Sequence, residues 1–106
     1  MIDNLVKTKY SIKISSTFKR DYKKIIKQGK DKAKLKKIII KLANGEELEE
    51  KYKNHRLIDD KYYKGCYECH IEPDWLLIYK YVDDELLLIL QTTGSHSDLF
   101  KWFLIT

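Results

Sequence analysis

The hydrophobic periodicity of this chain changes from helical to extended near its middle, and this change limits the possible folds more than any other feature. In residues 18–42, apolar side chains recur every three or four positions with lysines between them. From Tyr67 onwards, they alternate with polar side chains or form short apolar runs, a pattern typical of strands. Helices followed by strands in this order predict an α+β fold.

The two predicted helices have clear signals at their ends. Ser15, Ser16 and Thr17 offer hydroxyls that can cap the first helix, and Gly29 ends it. Asp31 can cap the second helix, which Asn44 and Gly45 end. Because so few residues separate the helices, we expect them to form a hairpin. The helical apolar positions are Phe18, Tyr22, Ile25, Ile26, Leu35, Ile38, Ile39 and Leu42.

Strands are predicted on both sides of this hairpin. Residues 10–14 alternate as an early strand, and residues 67–72, 76–82 and 85–92 form an antiparallel meander with a turn at Asp83 and Asp84. A shorter strand is expected at residues 56–58, and a short C-terminal helix at residues 97–103. The predicted architecture is an N-terminal strand and helical hairpin packed on a small curved antiparallel sheet. We expect the first strand to pair with the last, and residues 1–106 to form one domain, since this length supports one core.

Positive charge is concentrated in the first half of the chain. Residues 1–53 contain 16 Lys or Arg and 7 Asp or Glu, a net charge of +9, whereas residues 54–106 contain 5 and 9, a net charge of −4. Such a surface attracts phosphates or an acidic protein, and lysines suit diffuse phosphate attraction better than base recognition. The sequence has neither a membrane-length apolar run nor the apolar centre of a signal peptide, so we expect a soluble, cytoplasmic protein.

Residues 66–70 match the C-x-x-C-H pattern of covalent haem attachment, but we expect no haem here. Haem attachment of this kind belongs to exported proteins, and the only methionine is Met1. On a strand, Cys66 and Cys69 point to opposite faces with Cα atoms about 10 Å apart, too far for a disulfide or a shared zinc ion. We therefore predict small packing residues rather than a redox site. The same alternation places Glu68 and His70 on the face of Cys66, and Glu68 and Glu72 are expected to lie at the solvated surface of the sheet.

Three histidines occupy strand ends or loops, where functional sites are usually built. His55 precedes the weak strand, His70 lies on the first strand of the meander, and His96 follows its last strand. Asp74 lies in the turn between two strands. Imidazoles titrate near neutral pH, so a basic surface with several histidines and a carboxylate suggests metal-independent cleavage of RNA.

Three segments of the sequence resemble the YafQ-type toxins of the RelE/ParE superfamily. The central one, residues 68–79, reads ECHIEPDWLLIY, and NHRL at residues 54–57 and TGSHSDLF at residues 93–100 flank it in the same order. The resemblance extends over nearly the whole chain, including the early strand and the lysine-rich hairpin. It implies a RelE-like microbial ribonuclease fold. Arg56 departs from the pattern, because members often have proline at this position.

The resemblance also implies a function, a site and partners. Members are endoribonuclease toxins of type II toxin–antitoxin systems that cleave mRNA in the ribosomal A site, and a cognate RelB/DinJ-like antitoxin inhibits them. The family's functional positions correspond here to His55, His70, Asp74, His96 and Phe100, with Trp75 a weaker member. We expect His96 to be the general acid, with Asp74, His55 or His70 as the base, and Phe100 to stack on a substrate base.

At Trp75 the apolar residues that follow favour packing over substrate contact, whereas at Phe100 the two roles compete, since Leu99 and Phe103 can cover the same helix face. We expect the lysines to contact mRNA or rRNA phosphates collectively, and no metal or other cofactor to take part. The main alternative is a non-catalytic ParE-like toxin or a binding module on the same fold. Because ParE-like toxins lack the histidine set, the three histidines favour the nuclease.

Overall fold

The computed structural model describes residues 7–100, which form a five-stranded sheet with three helices. The strands are β1 (Ser11–Ile14), β2 (His55–Arg56), β3 (Tyr67–Glu72), β4 (Trp75–Val82) and β5 (Leu87–Gly94). The helices are α1 (Ser16–Lys27), α2 (Lys32–Ala43) and α3 (His96–Leu99). Single 3₁₀ turns lie at Glu50–Tyr52 and Asp83–Glu85. No helix within the described residues is long and apolar enough to cross a bilayer.

The α+β architecture is the predicted one. The strand order is β1-β5-β4-β3-β2, so the first strand pairs with the last. One detail differs from the predicted antiparallel sheet, because β1 and β5 are parallel while the other pairs are antiparallel. A parallel pair needs a long crossover, and here the chain between β1 and β5 includes the helical hairpin. The short strand predicted at residues 56–58 is found slightly earlier, at His55–Arg56.

The helix boundaries follow the predicted capping residues. The Ser15 side chain accepts a hydrogen bond from the backbone N–H of Phe18, and that of Asp31 accepts one from Ala33. Gly29, just after α1, has a φ of +84°, a left-handed conformation that favours glycine. The predicted C-terminal helix begins as α3, but residues 101–103 of that prediction lie outside the described part of the chain.

The sheet has apolar contacts on both faces. The larger core lies between one face and the helical hairpin, where Phe18, Leu35 and Ile39 pack with Leu77 and Tyr79. On the other face, Cys66, Leu76, Ile78 and Leu99 form a smaller cluster. The strand β4 therefore contributes to both cores, which explains its continuous apolar sequence.

The two cysteines belong to different cores, as the alternation predicts. Cys69 lies in the larger core and Cys66 in the smaller one, and both are free thiols. Burial raises the pKa of Cys66, and it raises that of Cys69 to about 12. Both side chains therefore stay protonated near neutral pH, as expected of packing residues.

Candidate active site

The ends of three strands bring the predicted histidines together on the face of the sheet opposite the helical hairpin. Pairing of β2 with β3 places His55 opposite Glu68. Glu68 precedes His70 by two residues in β3, so these two side chains lie on the same face of the sheet. Pairing of β4 with β5 places Gly94, just before the α3 turn, opposite Leu76. The ring centroids of His70 and His96 are 5.5 Å apart as a result.

His96 and Asp74 form a pair at this edge. Asp74 Oδ1 accepts a hydrogen bond of 3.0 Å from the backbone N–H of His96 and lies 3.4 Å from Nδ1 of its ring. The backbone hydrogen bond lowers the pKa of Asp74, and the imidazole of His96 lowers it further. Because Nδ1 faces this carboxylate, Nε2 is the nitrogen of His96 that can exchange a proton with a substrate. Ser95 caps the short helix by accepting a hydrogen bond from the backbone N–H of Asp98.

His55 and His70 converge on one buried carboxylate, that of Glu68. Glu68 Oε1 lies 3.2 Å from Nε2 of His70 and 3.7 Å from Nε2 of His55. In each histidine, Nδ1 faces a backbone carbonyl: Pro73 O at 3.2 Å from His70 and Lys53 O at 2.8 Å from His55. The side chain of Glu68 is 6% exposed, compared with 15% for His70 and 52% for His55.

The expectation that Glu68 and Glu72 lie at the solvated surface of the sheet is wrong for Glu68, whereas Glu72 is partly exposed, with 32% of its side chain accessible. Glu68 is buried beneath the imidazoles, and Glu72 forms salt bridges with Lys30 and Lys34 at 3.5 and 2.9 Å. Alternation indicated the shared face of Glu68 and His70. It could not reveal that β2 would place His55 over the same carboxylate, because pairing register depends on contacts between distant segments.

The two aromatic residues assigned to substrate binding differ in position. Phe100 is partly exposed, lies 6.0 Å from the ring of His96 and packs edge-on against Tyr63 at 5.5 Å. Trp75 is 0% exposed, and its indole N–H donates a hydrogen bond of 3.0 Å to Thr93. The ring of Trp75 lies within the larger core, which supports the packing role that the sequence favours and gives no support to the predicted substrate-binding role.

A basic groove begins beside this cluster. It has a volume of about 540 Å³, and its lining residues include His70, Lys34, Lys37, Lys51 and Lys53. A second basic surface lies along the outer side of α1, with Lys19, Arg20, Lys23, Lys24 and Lys27. The lining of the groove includes His70 of the imidazole cluster, whereas the α1 surface contacts α3 through a salt bridge of 3.3 Å between Lys24 and Asp98.

The cluster also has a spacing that could accommodate a metal ion. One donor atom each of Glu68, His70 and His96 lie within 4.8 Å of one another. Imidazole and carboxylate donors are chemically suited to several divalent transition metals. The arrangement therefore permits two kinds of chemistry, proton transfer by free imidazoles or binding of an ion between them.

The fold and the cluster together define a class: a small basic α+β protein with imidazoles and carboxylates grouped at the edge of its sheet. The family model for the bacterial toxin of type II toxin–antitoxin systems, YafQ, matches residues 10–101. A relative from Escherichia coli strain B / BL21-DE3, called mRNA interferase toxin YafQ, is 41% identical over 90 residues, which cover 84% of this chain and 94% of that protein. The chain belongs to the YafQ family of type II toxins.

Solved structures agree with this assignment. A chain of the E. coli DinJ–YafQ complex is 40% identical with a TM-score of 0.76, covering 86% of this chain and 98% of that one. A metal-bound toxin from Helicobacter pylori is also 40% identical, with a TM-score of 0.80 and coverage of 86% and 99%. The RelE-like fold implied by the sequence resemblance is thereby confirmed.

Proposed function

We propose that this toxin is an endoribonuclease that cleaves mRNA at the codon in the ribosomal A site and so inhibits translation. The observation that carries the proposal is the pairing of His96 with Asp74 beside His70, at the start of a lysine-lined groove. The name of the E. coli relative, mRNA interferase toxin, supports the same substrate class. The alternative, a ParE-like toxin that only binds its target, does not require a cluster of imidazoles held by hydrogen bonds and ion pairs.

The proposed reaction is an internal transesterification. A base removes the proton of a ribose 2′-OH, the 2′-oxygen attacks the adjacent phosphorus, and the 5′-oxygen leaves with a proton from an acid. The products are a 2′,3′-cyclic phosphate and a 5′-hydroxyl. His96 is the proposed acid, because Asp74 holds Nδ1 and directs Nε2 away from the protein.

His55 is the strongest of the three candidates for the base. Its Nδ1 is 2.8 Å from the carbonyl of Lys53, which requires a hydrogen on Nδ1 and leaves a lone pair on Nε2. The 3.7 Å between Nε2 and Glu68 exceeds a hydrogen bond, and half of the ring is exposed. By contrast, Asp74 accepts from the His96 backbone, and both nitrogens of His70 face oxygen atoms.

Phe100 and the groove provide the proposed substrate contacts. The exposed part of Phe100 can stack on a base next to the scissile phosphate, a contact that every base can make. Lysines of the groove can neutralise phosphates on one side of the cleavage position, and the α1 surface is free to contact rRNA. Such contacts position the RNA without selecting a sequence.

We also propose a cognate antitoxin of the DinJ type, in the cytoplasm with the ribosomes. The E. coli relative occurs in a DinJ–YafQ complex, and residues 1–53 of this chain have a net charge of +9. An acidic, partly disordered protein could cover that surface through charge complementarity. A small acidic product of a neighbouring gene that binds this chain and stops its growth inhibition would support this partner.

The proposed function is tested by primer extension on translated mRNA after induction of wild-type protein or the His96→Ala variant. We expect in-frame cuts with the wild type and a loss of about 10²- to 10⁴-fold with the variant, since a general acid contributes that much. Growth inhibition of equal strength by both proteins, without cuts, would instead indicate the ParE-like alternative. The thermal unfolding of both proteins serves as the control for folding.

Metal independence requires a separate measurement with purified toxin and ribosomes loaded with mRNA. Because ribosomes need Mg²⁺, the toxin alone is first treated with EDTA and then desalted. We expect unchanged cleavage after this treatment and inhibition by added Zn²⁺, which would occupy imidazole nitrogens needed for proton transfer. Activity lost after EDTA and restored by Zn²⁺ would contradict the acid–base mechanism.

A further inference from the structure

The short helix α3 carries two residues of the proposed site, His96 at its start and Phe100 at its C-cap. The helix is 4 residues long, and a backbone hydrogen bond of 2.9 Å from Phe100 to His96 closes its turn. An isolated helix of fewer than roughly 12–15 residues is only marginally stable in water. Contacts with the rest of the protein therefore have to hold α3 in place. At its start, Asp74 provides such a contact by accepting a hydrogen bond from the backbone N–H of His96.

The C-terminal end of α3 contacts Tyr63, which lies in the loop between β2 and β3. The Tyr63 hydroxyl donates a hydrogen bond of 2.8 Å to the Leu99 carbonyl. The Tyr63 ring packs edge-on against that of Phe100, with centroids 5.5 Å apart and planes at 79°. A salt bridge of 3.3 Å between Lys24 and Asp98 also reaches α3, but both side chains are exposed, so it stabilises the helix weakly. One tyrosine thus contacts both the end of the helix and the aromatic ring that follows it.

Tyr63 can anchor α3 because the loop that carries it is itself fixed. The Asp60 carboxylate accepts a hydrogen bond of 2.8 Å from the backbone N–H of Tyr63. The Tyr63 carbonyl accepts one of 3.0 Å from the backbone N–H of Cys66, a buried residue of the smaller cluster. The Cys66 carbonyl in turn accepts one of 2.9 Å from Leu57, which closes the loop just after β2. The backbone of Tyr63 is therefore held on both sides.

We propose that Tyr63 is a positioning residue that holds Phe100 in place to stack on an RNA base at the proposed site. This inference rests on the proposed function. The hydroxyl fixes the backbone that carries Phe100, and the edge-on contact restricts rotation of the Phe100 side chain. A ring that is already ordered loses less conformational entropy when it binds, which strengthens the complex. Tyr63 thus acts on RNA affinity through Phe100, whereas Asp74 holds the proposed acid at the other end of α3.

Removal of the hydroxyl alone tests this anchor, and Tyr81 provides a matched control. Tyr63→Phe keeps the ring but loses the hydrogen bond to α3. Tyr81→Phe loses an equivalent bond of 2.7 Å to the Leu42 carbonyl, in the last turn of α2 on the hairpin side of the sheet. We expect both variants to lose stability, because one hydrogen bond contributes about 2- to 12-fold to an equilibrium constant. Thermal unfolding of both variants measures this common effect.

The Tyr63 variant, unlike the control, should bind the substrate more weakly. Single-turnover cleavage of mRNA on ribosomes gives the rate at saturation and the half-saturating toxin concentration separately. We expect Tyr63→Phe to raise the half-saturating concentration about 2- to 12-fold. The saturated rate should stay nearly unchanged, because a stacking contact is equally strong in the ground state and the transition state. An unchanged half-saturating concentration in Tyr63→Phe, or an equal rise in Tyr81→Phe, would overturn the inference.

A double-mutant cycle shows whether Tyr63 acts through Phe100. If it does, Tyr63→Phe cannot weaken a complex that has already lost the Phe100 ring. We therefore expect the combination of Tyr63→Phe with Phe100→Leu to have the half-saturating concentration of Phe100→Leu alone. Residues that act independently give effects that multiply. A double variant weakened by the full factor of Tyr63→Phe would thus show that Tyr63 does not act through Phe100, and the inference would be wrong.

Amide hydrogen exchange of the free toxin keeps this inference separate from the proposed function, because it needs no RNA. Exchange at the Phe100 amide, which donates to the His96 carbonyl, reports opening of α3. We expect it to be about 2- to 12-fold faster in Tyr63→Phe than in the wild type, and unchanged in Tyr81→Phe. Unchanged exchange in Tyr63→Phe would overturn the inference even if the toxin cleaves mRNA. Faster exchange in a toxin that never cleaves would contradict the proposed function and still support Tyr63 as the anchor of α3.

Discussion

Trp75 and Phe100, the two aromatic residues predicted at the site, occupy different environments in the fold. The sequence pattern favours packing for Trp75, which starts an apolar run, whereas for Phe100 it predicts packing and substrate contact equally well. The structure separates them because Trp75 starts β4 within the larger core, whereas Phe100 ends α3 at the rim of the site. Burial, which depends on the whole fold, favours packing for Trp75 and leaves Phe100 accessible to a substrate.

A pair of substitutions tests this division. Trp75→Phe keeps most of the packing but leaves Thr93 without the indole N–H, so we expect a loss of about 1–3 kcal/mol in the free energy of unfolding and nearly unchanged cleavage. Phe100→Leu should leave stability nearly unchanged and lower the cleavage efficiency about 5- to 150-fold, the equivalent of one stacking contact of about 1–3 kcal/mol. Urea unfolding and primer extension on both variants provide the measurements. A Trp75→Phe variant of normal stability that cannot cleave would restore the substrate-binding role.

The N-caps of α1 and α2, Ser15 and Asp31, differ in the parts of the fold that they connect. The Ser15 hydroxyl accepts from Phe18 at the start of α1 and also donates a hydrogen bond of 2.7 Å to the Gln91 carbonyl in β5. The Asp31 carboxylate makes only the local bond of 2.9 Å to Ala33 among its described hydrogen bonds. Ser15 thus joins helix and sheet, whereas Asp31 stabilises α2 alone.

We therefore expect the two caps to contribute unequally to stability. Asp31→Ala should lower the free energy of unfolding by about 1 kcal/mol, the usual contribution of a cap. Ser15→Ala should lower it by about 2 kcal/mol, because it loses a second hydrogen bond of about 1 kcal/mol to β5. Urea unfolding midpoints measure the difference, and equal losses would show that the bond to β5 adds nothing.

At the level of elements, most of the fold could be predicted from local sequence. The helix ends followed from Ser15, Gly29 and Asp31, because caps and left-handed glycines act within a few residues. The parallel direction of β1 against β5 could not be derived from periodicity, which does not encode strand direction. Glu68 was missed for a related reason: its position beneath the imidazoles depends on the register of β2 against β3, set by tertiary packing.

At the scale of the whole molecule, folding raises the pKa of three phenols that are buried or partly buried. Burial raises the pKa values of Tyr63 and Tyr81 to about 12, and it also raises that of Tyr79. An unfolded phenol has a pKa of about 10. Since the folded pKa values are the higher ones, this stabilisation is complete below about pH 10 and is lost as the pH rises through about 12.

We expect the free energy of unfolding to fall between about pH 10 and 12, and Tyr81→Phe to reduce that fall. At pH 8 the variant should be less stable, because the Tyr81 hydroxyl donates a hydrogen bond of 2.7 Å to the Leu42 carbonyl. The difference from wild type should shrink by pH 11, where only the wild type must keep that phenol neutral. Urea unfolding at both pH values checks this, and a constant difference would contradict it.

The two basic surfaces predict different salt dependences for RNA binding. The lining of the groove includes His70, whereas Lys19 and Lys23 lie on the α1 surface, so we expect a short single-stranded RNA in the site to release counterions from groove lysines and not from these two. With the inactive His96→Ala protein, we expect Lys37→Ala with Lys51→Ala to reduce the slope of log K against log salt by about 1.4, or about 0.7 per phosphate contact. Lys19→Ala with Lys23→Ala, which removes the same charge from α1, should leave that slope unchanged. Fluorescence anisotropy at several salt concentrations measures both slopes, and a reduction confined to the α1 pair would place the RNA on the helix instead of in the groove.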